Sequence, residues 1–330
     1  MTLSHLDLHS RTINYLRISV TDRCNLRCVY CMPEDGVAQC SHEDVLRYEE
    51  IEIVARAAAE LGIHKLRLTG GEPLVRAGLV SLVRSLAKVP GIDDLSMTTN
   101  GILLSRYAQE LAEAGLDRVN VSLDTLQPER FRRITRRGKI EDTLQGIDAA
   151  IAAGLEPVKI NMVVMRGTNE DEVVDMALKS VDPGWNVRFI EWMPVGEPGD
   201  ALETIVVTGH EIRQRIEDAL GPLLTAKMST GAGPARYYRL KGAPGTIGFI
   251  TPVSEHFCHG CNRLRLTADG QLRPCLLSDH ELDLRTPLRS GAGVEQVKEL
   301  LLQAIESKPL RHHLSECEAP HKRAMSQIGG

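Results

Sequence analysis

The sequence predicts an α/β protein: a partial, open (β/α)6 barrel of the TIM type, with a C-terminal α+β extension covering the barrel mouth. Three observations carry that expectation. Strand-like and helix-like runs alternate six times across the first two thirds of the 330 residues, and such a succession implies a parallel sheet with right-handed crossovers. Six units fall short of the eight that close a barrel. Past Lys227 the rhythm stops, and stretches rich in Gly and Pro (230–234, 242–248) lead into short strands.

The six strands are expected at Tyr15–Val20, Lys65–Thr69, Asp94–Thr99, Arg118–Leu123, Val158–Val164 and Val187–Glu191. Helical stripes fall between them. Glu49–Leu61 places Ile51, Val54, Ala55, Ala58 and Leu61 on one side, and Gly78–Val89, Leu103–Ala114, Ile140–Ala153 and Asp171–Ser180 follow the same spacing. A further helix, Gly209–Leu220, ends at the stop signal Gly221-Pro222. Later strands are expected at Arg236–Leu240, Thr246–Thr251 and Arg263–Thr267, a hairpin turn at Ala268-Asp269-Gly270, and a last helix at Val294–Ile305. The boundary is placed near 227–233, giving a barrel domain of residues 1–230 and a C-terminal domain of residues 231–330.

Composition narrows the function. A formal net charge of −5 and an aromatic content of 4% give no footing for a nucleic-acid partner. No apolar run is long enough to span a bilayer, and the first residues lack the apolar core of a signal peptide. The expectation is a soluble cytoplasmic protein without nucleic acid or membrane. Of eight cysteines, six form two tight groups, while Cys40 and Cys317 stand alone and read as structural thiols. In a reducing compartment, clustered cysteines are metal ligands more often than disulfides.

Cys24, Cys28 and Cys31 follow the first strand. Three thiolates can hold three irons of a [4Fe–4S] cubane and leave the fourth iron open for chemistry. Cys258 and Cys261, with Cys275 further on, form a second triplet. Its spacing also suits zinc, with His256, His259 or His280 as fourth ligand.

The strands carry a second signal. Aliphatic residues alternate with Arg17, Lys65, Arg67, Lys159 and Arg188. Side chains change face at each residue of a strand, so an aliphatic set packed on the helices sends these cations toward the barrel axis. Buried unpaired cations cost several kcal/mol each. The interior is therefore wet or filled by an anion, best a polyphosphate. The turns Gly70-Gly71-Glu72-Pro73, Thr98-Thr99-Asn100-Gly101 and Ser122-Leu123-Asp124 sit where barrel enzymes build their sites.

The first triplet with Gly70-Gly71-Glu72-Pro73 resembles the radical S-adenosylmethionine enzymes. Adding Met97–Gly101, Asn120–Asp124, Lys159-Ile160-Asn161, Phe189–Met193, Asn262–Arg265 and the terminal Met325–Gly330, the chain resembles the GTP 3′,8-cyclases of molybdenum cofactor biosynthesis over nearly its whole length. That resemblance implies two [4Fe–4S] clusters, the first on Cys24, Cys28 and Cys31 and the second on Cys258, Cys261 and Cys275. It implies S-adenosylmethionine contacts from Tyr30, Gly71, Ser122 and Met193. It implies that Arg17, Arg67, Thr98, Lys159, Arg263, Leu264 and Arg265 hold GTP, with Lys65 and Arg188 on the phosphate side. Catalytic roles fall to Arg17, Arg263, Arg265 and the tail glycines Gly329 and Gly330, which are expected to reach into the site. Partners implied are an external electron donor and a downstream cyclic pyranopterin monophosphate synthase, with room for a homodimer. The rivals are a peptide-modifying radical enzyme with an auxiliary cluster, and a non-catalytic iron–sulfur or zinc protein. The first would carry a longer C-terminal cysteine array, and the second would need no open iron.

Overall fold

The computed structural model describes residues 6–195, 205–227, 233–312 and 322–329. The expected strands form as β1 (Tyr15–Ser19), β2 (Lys65–Thr69), β3 (Asp94–Thr99), β4 (Arg118–Ser122), β5 (Lys159–Val164) and β6 (Asn186–Glu191). Six more follow: β7 (Leu224–Thr225), β8 (Arg236–Arg239), β9 (Thr246–Ile250), β10 (Arg263–Leu266), β11 (Gln271–Arg273) and β12 (Leu282–Asp283). All belong to one sheet ordered β12-β11-β10-β1-β2-β3-β4-β5-β6-β9-β8-β7. The barrel is open, because β12 and β7 end the sheet without meeting.

The C-terminal strands join this sheet at both sides. β10 pairs parallel with β1, and β9 pairs parallel with β6, so two further parallel strands flank the six. The turn at Ala268-Asp269-Gly270 reverses the chain into antiparallel β11, with Thr267 N donating to Gln271 O at 2.9 Å.

Helices cover the outer face: α1 (Tyr48–Glu60), α2 (Leu79–Leu86), α3 (Leu104–Glu113), α4 (Pro128–Thr135), α5 (Ile140–Ala152), α6 (Val173–Leu178), α7 (Gly209–Leu220), α8 (Arg285–Arg289) and α9 (Val294–Glu306). α4 lies outside the sequence-based expectation. Its apolar stripe is only Phe131 and Ile134, too short to register as a period, although Pro128 opens it in the favoured position. α6 is shorter than expected, because its first turn winds as a 3₁₀ turn over Glu170–Glu172. α7 starts at Thr208, whose hydroxyl accepts from Glu211 N at 3.2 Å. α9 packs on α1 across the β1–β2 side of the sheet.

The aliphatic set of the strands faces these helices. Leu16, Ile18, Leu66, Leu68, Val119, Val121, Ile160, Met162, Val187, Leu264 and Leu266 are wholly buried in one hydrophobic core. Their alternating neighbours face the barrel axis, and the register stacks charge on charge. Arg17 is level with Arg265 on one side and Arg67 on the other, and Asn161 is level with Arg188.

Candidate active site

The first triplet lies on the loop after β1, and the turn after β2 holds that loop in place. Gly71 N donates to Thr21 O at 2.7 Å and Glu72 N donates to Arg23 O at 2.8 Å. A Cβ on Gly71 would lie 2.3 Å from Arg23 O, and one on Gly70 would lie 2.4 Å from Thr21 O. The glycine pair is thus required by the chain's own cysteine loop, a tighter reason than ligand approach alone. Glu72 is fully buried. Its carboxylate accepts from Leu74 N, Thr99 Oγ1 and Asn100 N at 3.1, 2.8 and 2.7 Å. Burial raises it to about 7 despite these bonds. Asn100 passes the link on, its Nδ2 donating to Asn25 Oδ1 at 2.7 Å and approaching Cys24 Sγ at 3.9 Å.

All three thiols of this loop are shifted upward. Burial, then Glu72 among the charges, lifts Cys24 to about 11. Burial with Cys24 and Asp124 lifts Cys31 to about 12, and burial and Cys31 push Cys28 up as well. Cys28 feels the charge of Cys31 and Cys24, and Cys31 that of Cys24. Tyr30 turns toward β4, donating to Asp124 Oδ2 at 2.8 Å, while Asp124 Oδ1 accepts from Val163 N at 2.8 Å. Burial raises Asp124 to about 6.

The second triplet sits across the mouth. Cys258 and Cys261 flank a 3₁₀ turn, and Cys275 follows β11. Here the electrostatics reverse. Burial alone would raise Cys261, but Arg263 and Lys308 outweigh it and bring the thiol to about 6. Arg263 Nη2 approaches Cys261 Sγ at 3.8 Å, and its guanidinium lies over the Phe257 ring at 5.1 Å.

Between the triplets runs one cavity. Arg17, Arg67, Thr98, Ser122, Arg188, Met193, Arg263 and Arg265 line it, together with Tyr30 and the cysteines Cys258, Cys261 and Cys275. Burial and the neighbouring Arg265 push Arg17 well below its ordinary value, and burial with Arg263 brings Arg265 to about 9. Such mutual depression marks cations gathered close together in a buried place. The tail supplies a neutral acceptor: Gly329 O accepts from Arg265 Nη1 at 2.7 Å and Arg17 Nη2 at 3.1 Å. Gly329 has φ +69°, and a Cβ there would lie 2.8 Å from Thr69 Cγ2. Gly330 and Cys317 lie outside the described residues.

Other candidates lie off this cavity. Lys65 opens β2, level with Tyr15 and Asp94, and is not among the residues that line the cavity. Lys159 is 1% exposed beneath the lining, where burial and Arg188 bring it down to about 7. Leu264 belongs to the core and can offer only backbone, and Gly71 faces the cysteine loop. Arg118, on the same inner face, is neutralised by Asp94 at 2.5 Å, so the base of the interior carries its own counter-ion. Cys40 is tied by its backbone N–H to Asp22 at 2.6 Å, apart from both triplets. Sequence reasoning overlooked Lys308 and Arg11, which meet the second triplet only through long-range folding, and Glu191, whose buried carboxylate accepts from Gly209 N, Val253 N and Ser254 N at 2.7, 2.9 and 2.9 Å and fixes the end of β6 beside Met193.

The residues present fit the groups that this architecture takes. Among the described residues, no three His, Cys, Asp or Glu side chains converge as a single metal ion requires. Three thiolates are the donor set of a cubane in which each binds its own iron. An open parallel barrel with such a triplet after its first strand defines a radical S-adenosylmethionine enzyme.

Comparison with known proteins narrows the class. Residues 18–179 match the radical SAM superfamily and residues 185–314 match the family described as Molybdenum Cofactor Synthesis C. The chain is 56% identical to the GTP 3′,8-cyclase of Pelotomaculum thermopropionicum over 98% of this chain and 99% of that one. It is 52% identical to the GTP 3′,8-cyclase of Heliobacterium modesticaldum over 98% and 100%. Among solved structures it resembles Streptococcus suis SuiB (TM-score 0.62, 14% identity, 92% of this chain and 68% of that one) and anSMEcpe with bound AdoMet (TM-score 0.59, 17% identity, 91% and 82%). These two share the fold. The chain belongs to the GTP 3′,8-cyclase family.

Proposed function

We infer that this chain cyclises GTP to (8S)-3′,8-cyclo-7,8-dihydroguanosine 5′-triphosphate, as a lyase acting first in molybdenum cofactor biosynthesis. The observation that carries the reading is the ring of Arg17, Arg67, Arg188, Arg263 and Arg265 lining one cavity that reaches the second cysteine triplet and, through Tyr30, the loop of the first. A nucleoside triphosphate is an anion that matches this ring, and guanidinium groups bind phosphates in paired, directional fashion.

Cys24, Cys28 and Cys31 would hold the first cluster and Cys258, Cys261 and Cys275 the second. Tyr30, Ser122 and Met193 line the side of the cavity nearest the first triplet and would position S-adenosylmethionine, with Gly71 shaping the loop. When bound, the first cluster and S-adenosylmethionine supply a 5′-deoxyadenosyl radical able to take the 3′-hydrogen of the ribose. The arginines set the ribose at a fixed depth in the chamber, a task of positioning. Arg263 lines the cavity and approaches Cys261 Sγ at 3.8 Å, so it would orient the nucleotide toward the second triplet. Gly329 lends its carbonyl to Arg17 and Arg265 and holds both guanidinium planes in place. Deeper in the barrel Lys159 adds charge when an anion arrives. An external reductant would feed the first site, and a downstream cyclic pyranopterin monophosphate synthase would consume the product.

The experiment is anaerobic reconstitution with iron and sulfide, then GTP, S-adenosylmethionine and dithionite, with mass analysis of nucleoside products. A GTP-dependent product of unchanged mass, together with 5′-deoxyadenosine, supports the reading. Formation of 5′-deoxyadenosine with every nucleotide left intact would refute the substrate.

A further inference from the structure

A second buried cation, outside the expected nucleotide contacts, faces the same chamber. Lys308 lies two residues beyond α9 and is 3% exposed. Its Nζ donates to Arg263 O at 2.8 Å and to Pro274 O at 2.6 Å. These carbonyls belong to the segments that carry Cys261 and Cys275, so one ammonium joins the two. The third cysteine is tied to the same stretch of chain. Arg11, held by Asp7 at 2.5 Å, donates to Cys258 O at 2.9 Å and to the carbonyls of Lys308, Pro309 and Leu310 at 3.3, 2.8 and 3.2 Å.

The charge balance is the telling point. A buried ammonium costs several kcal/mol unless an anion answers it, and two neutral carbonyls satisfy its donors without cancelling its charge. Among the described residues, no carboxylate lies within ion-pair distance of Lys308. Burial pushes the Lys308 ammonium below its ordinary value; Cys261 and Cys275 favour its charged form, and Arg263 and Arg11 oppose it. Three thiolates bound to a [4Fe–4S] core give a net anion, and that anion gains a further charge on reduction.

We propose that Lys308 is a positioning residue of the second cluster: it staples the Cys261 and Cys275 segments together, and its buried charge is balanced by the thiolate-bound cluster. This rests on the reading that the second triplet holds iron and sulfide. A fixed cation beside a cluster favours the reduced state, since net charge and hydrogen bonding tune such potentials.

The test uses the full chain with Cys24, Cys28 and Cys31 changed to Ser, so that iron, sulfide and paramagnetic signals report the second site alone. Lys308→Arg, Lys308→Gln and Lys308→Met are compared with this parent, and circular dichroism of each apo chain checks the fold. Lys308→Arg should keep the parent's iron content, with a reduced-to-oxidised ratio within about twofold at a fixed potential. Lys308→Gln, which keeps a donor and loses the charge, should hold iron but show that ratio lowered about tenfold. Lys308→Met should lose most of its iron. An unchanged ratio in Lys308→Gln, or equal iron loss in Lys308→Arg and Lys308→Met, overturns the proposal. If Lys308→Met misfolds, Lys308→Gln against Lys308→Arg decides. A parent that takes up zinc instead of iron refutes the cluster reading separately, and zinc retention across the same variants then decides the staple.

Discussion

Around the first cysteine triplet the ionisable neighbours are the buried Glu72 and Asp124, while around the second they are the half-buried Arg263 and the buried Lys308. The ligand type and number are the same; the electrical settings are opposite, with Arg27 offsetting only part of the negative field at Cys24. The difference teaches a division of labour. Negative surroundings destabilise added electrons and make a cluster a stronger reductant, which suits delivery of an electron to a sulfonium. Positive surroundings stabilise added electrons and attract anions, which suits holding a nucleotide. The protein keeps these two fields apart by placing one triplet on the loop after β1 and the other on the segments around β10 and β11.

The comparison can be broken or sharpened by experiment. The largest effect is expected from removing each triplet in turn. Replacing Cys24, Cys28 and Cys31 by Ser should abolish 5′-deoxyadenosine formation entirely. The same change at Cys258, Cys261 and Cys275 should leave S-adenosylmethionine cleavage measurable while cyclised product disappears. Chromatography of both products checks it, and equal loss from the two variants would end the division of labour. Next, Arg265→Ala should lower the rate of product formation roughly 10–100-fold, the weight of one or two hydrogen bonds to a charged group, with iron content held. A proportional loss of iron would make Arg265 structural.

A smaller effect is expected at the tail. Gly329→Ala must place a side chain at φ +69° against Thr69, a conformation costing about 1–2 kcal/mol. The expected result is a fall in turnover of about 5–30-fold, with little change in melting temperature. The smallest effect is in protons. Lys159 is brought down to about 7 by burial and Arg188, so above that pH it is mostly neutral in the free protein. An anion restores its charge, so binding takes up a proton and weakens as pH rises above 7. Calorimetry at pH 8.5 in two buffers of different ionisation enthalpy should show uptake approaching about one proton per GTP, and Lys159→Gln should remove it. The sign for stability agrees. The unfolded chain keeps this lysine protonated up to about 10.4, so between 7 and that value raising the pH favours the folded state.

What the sequence disclosed depended on local pattern. The alternation of Leu16, Ile18, Leu66 and Leu68 with Arg17 and Arg67 revealed both faces of the strands, because a strand's period is two. The cysteine spacings and the glycine pair are equally local, although Gly71 answers to the backbone of Arg23. Distance in sequence hid the rest. Lys308 reads as a polar residue after a helix until folding brings Arg263 and Pro274 onto it. Asp94 could be read as a strand end until Arg118 is placed beside it. Which of the inward cations line the cavity depends on strand stagger, which alternation does not encode.

The seating of β10 against β1 reaches into how the chain is made. Residues 15–18 wait for partners at 263–266, so one side of β1 remains an open edge until the ribosome has delivered about 250 further residues. Unsatisfied edges attract other strands, and couplings this distant in sequence form slowly. An exposed edge of this kind favours association between nascent copies, and the segments carrying Cys261 and Cys275 take their places only once that late strand has docked.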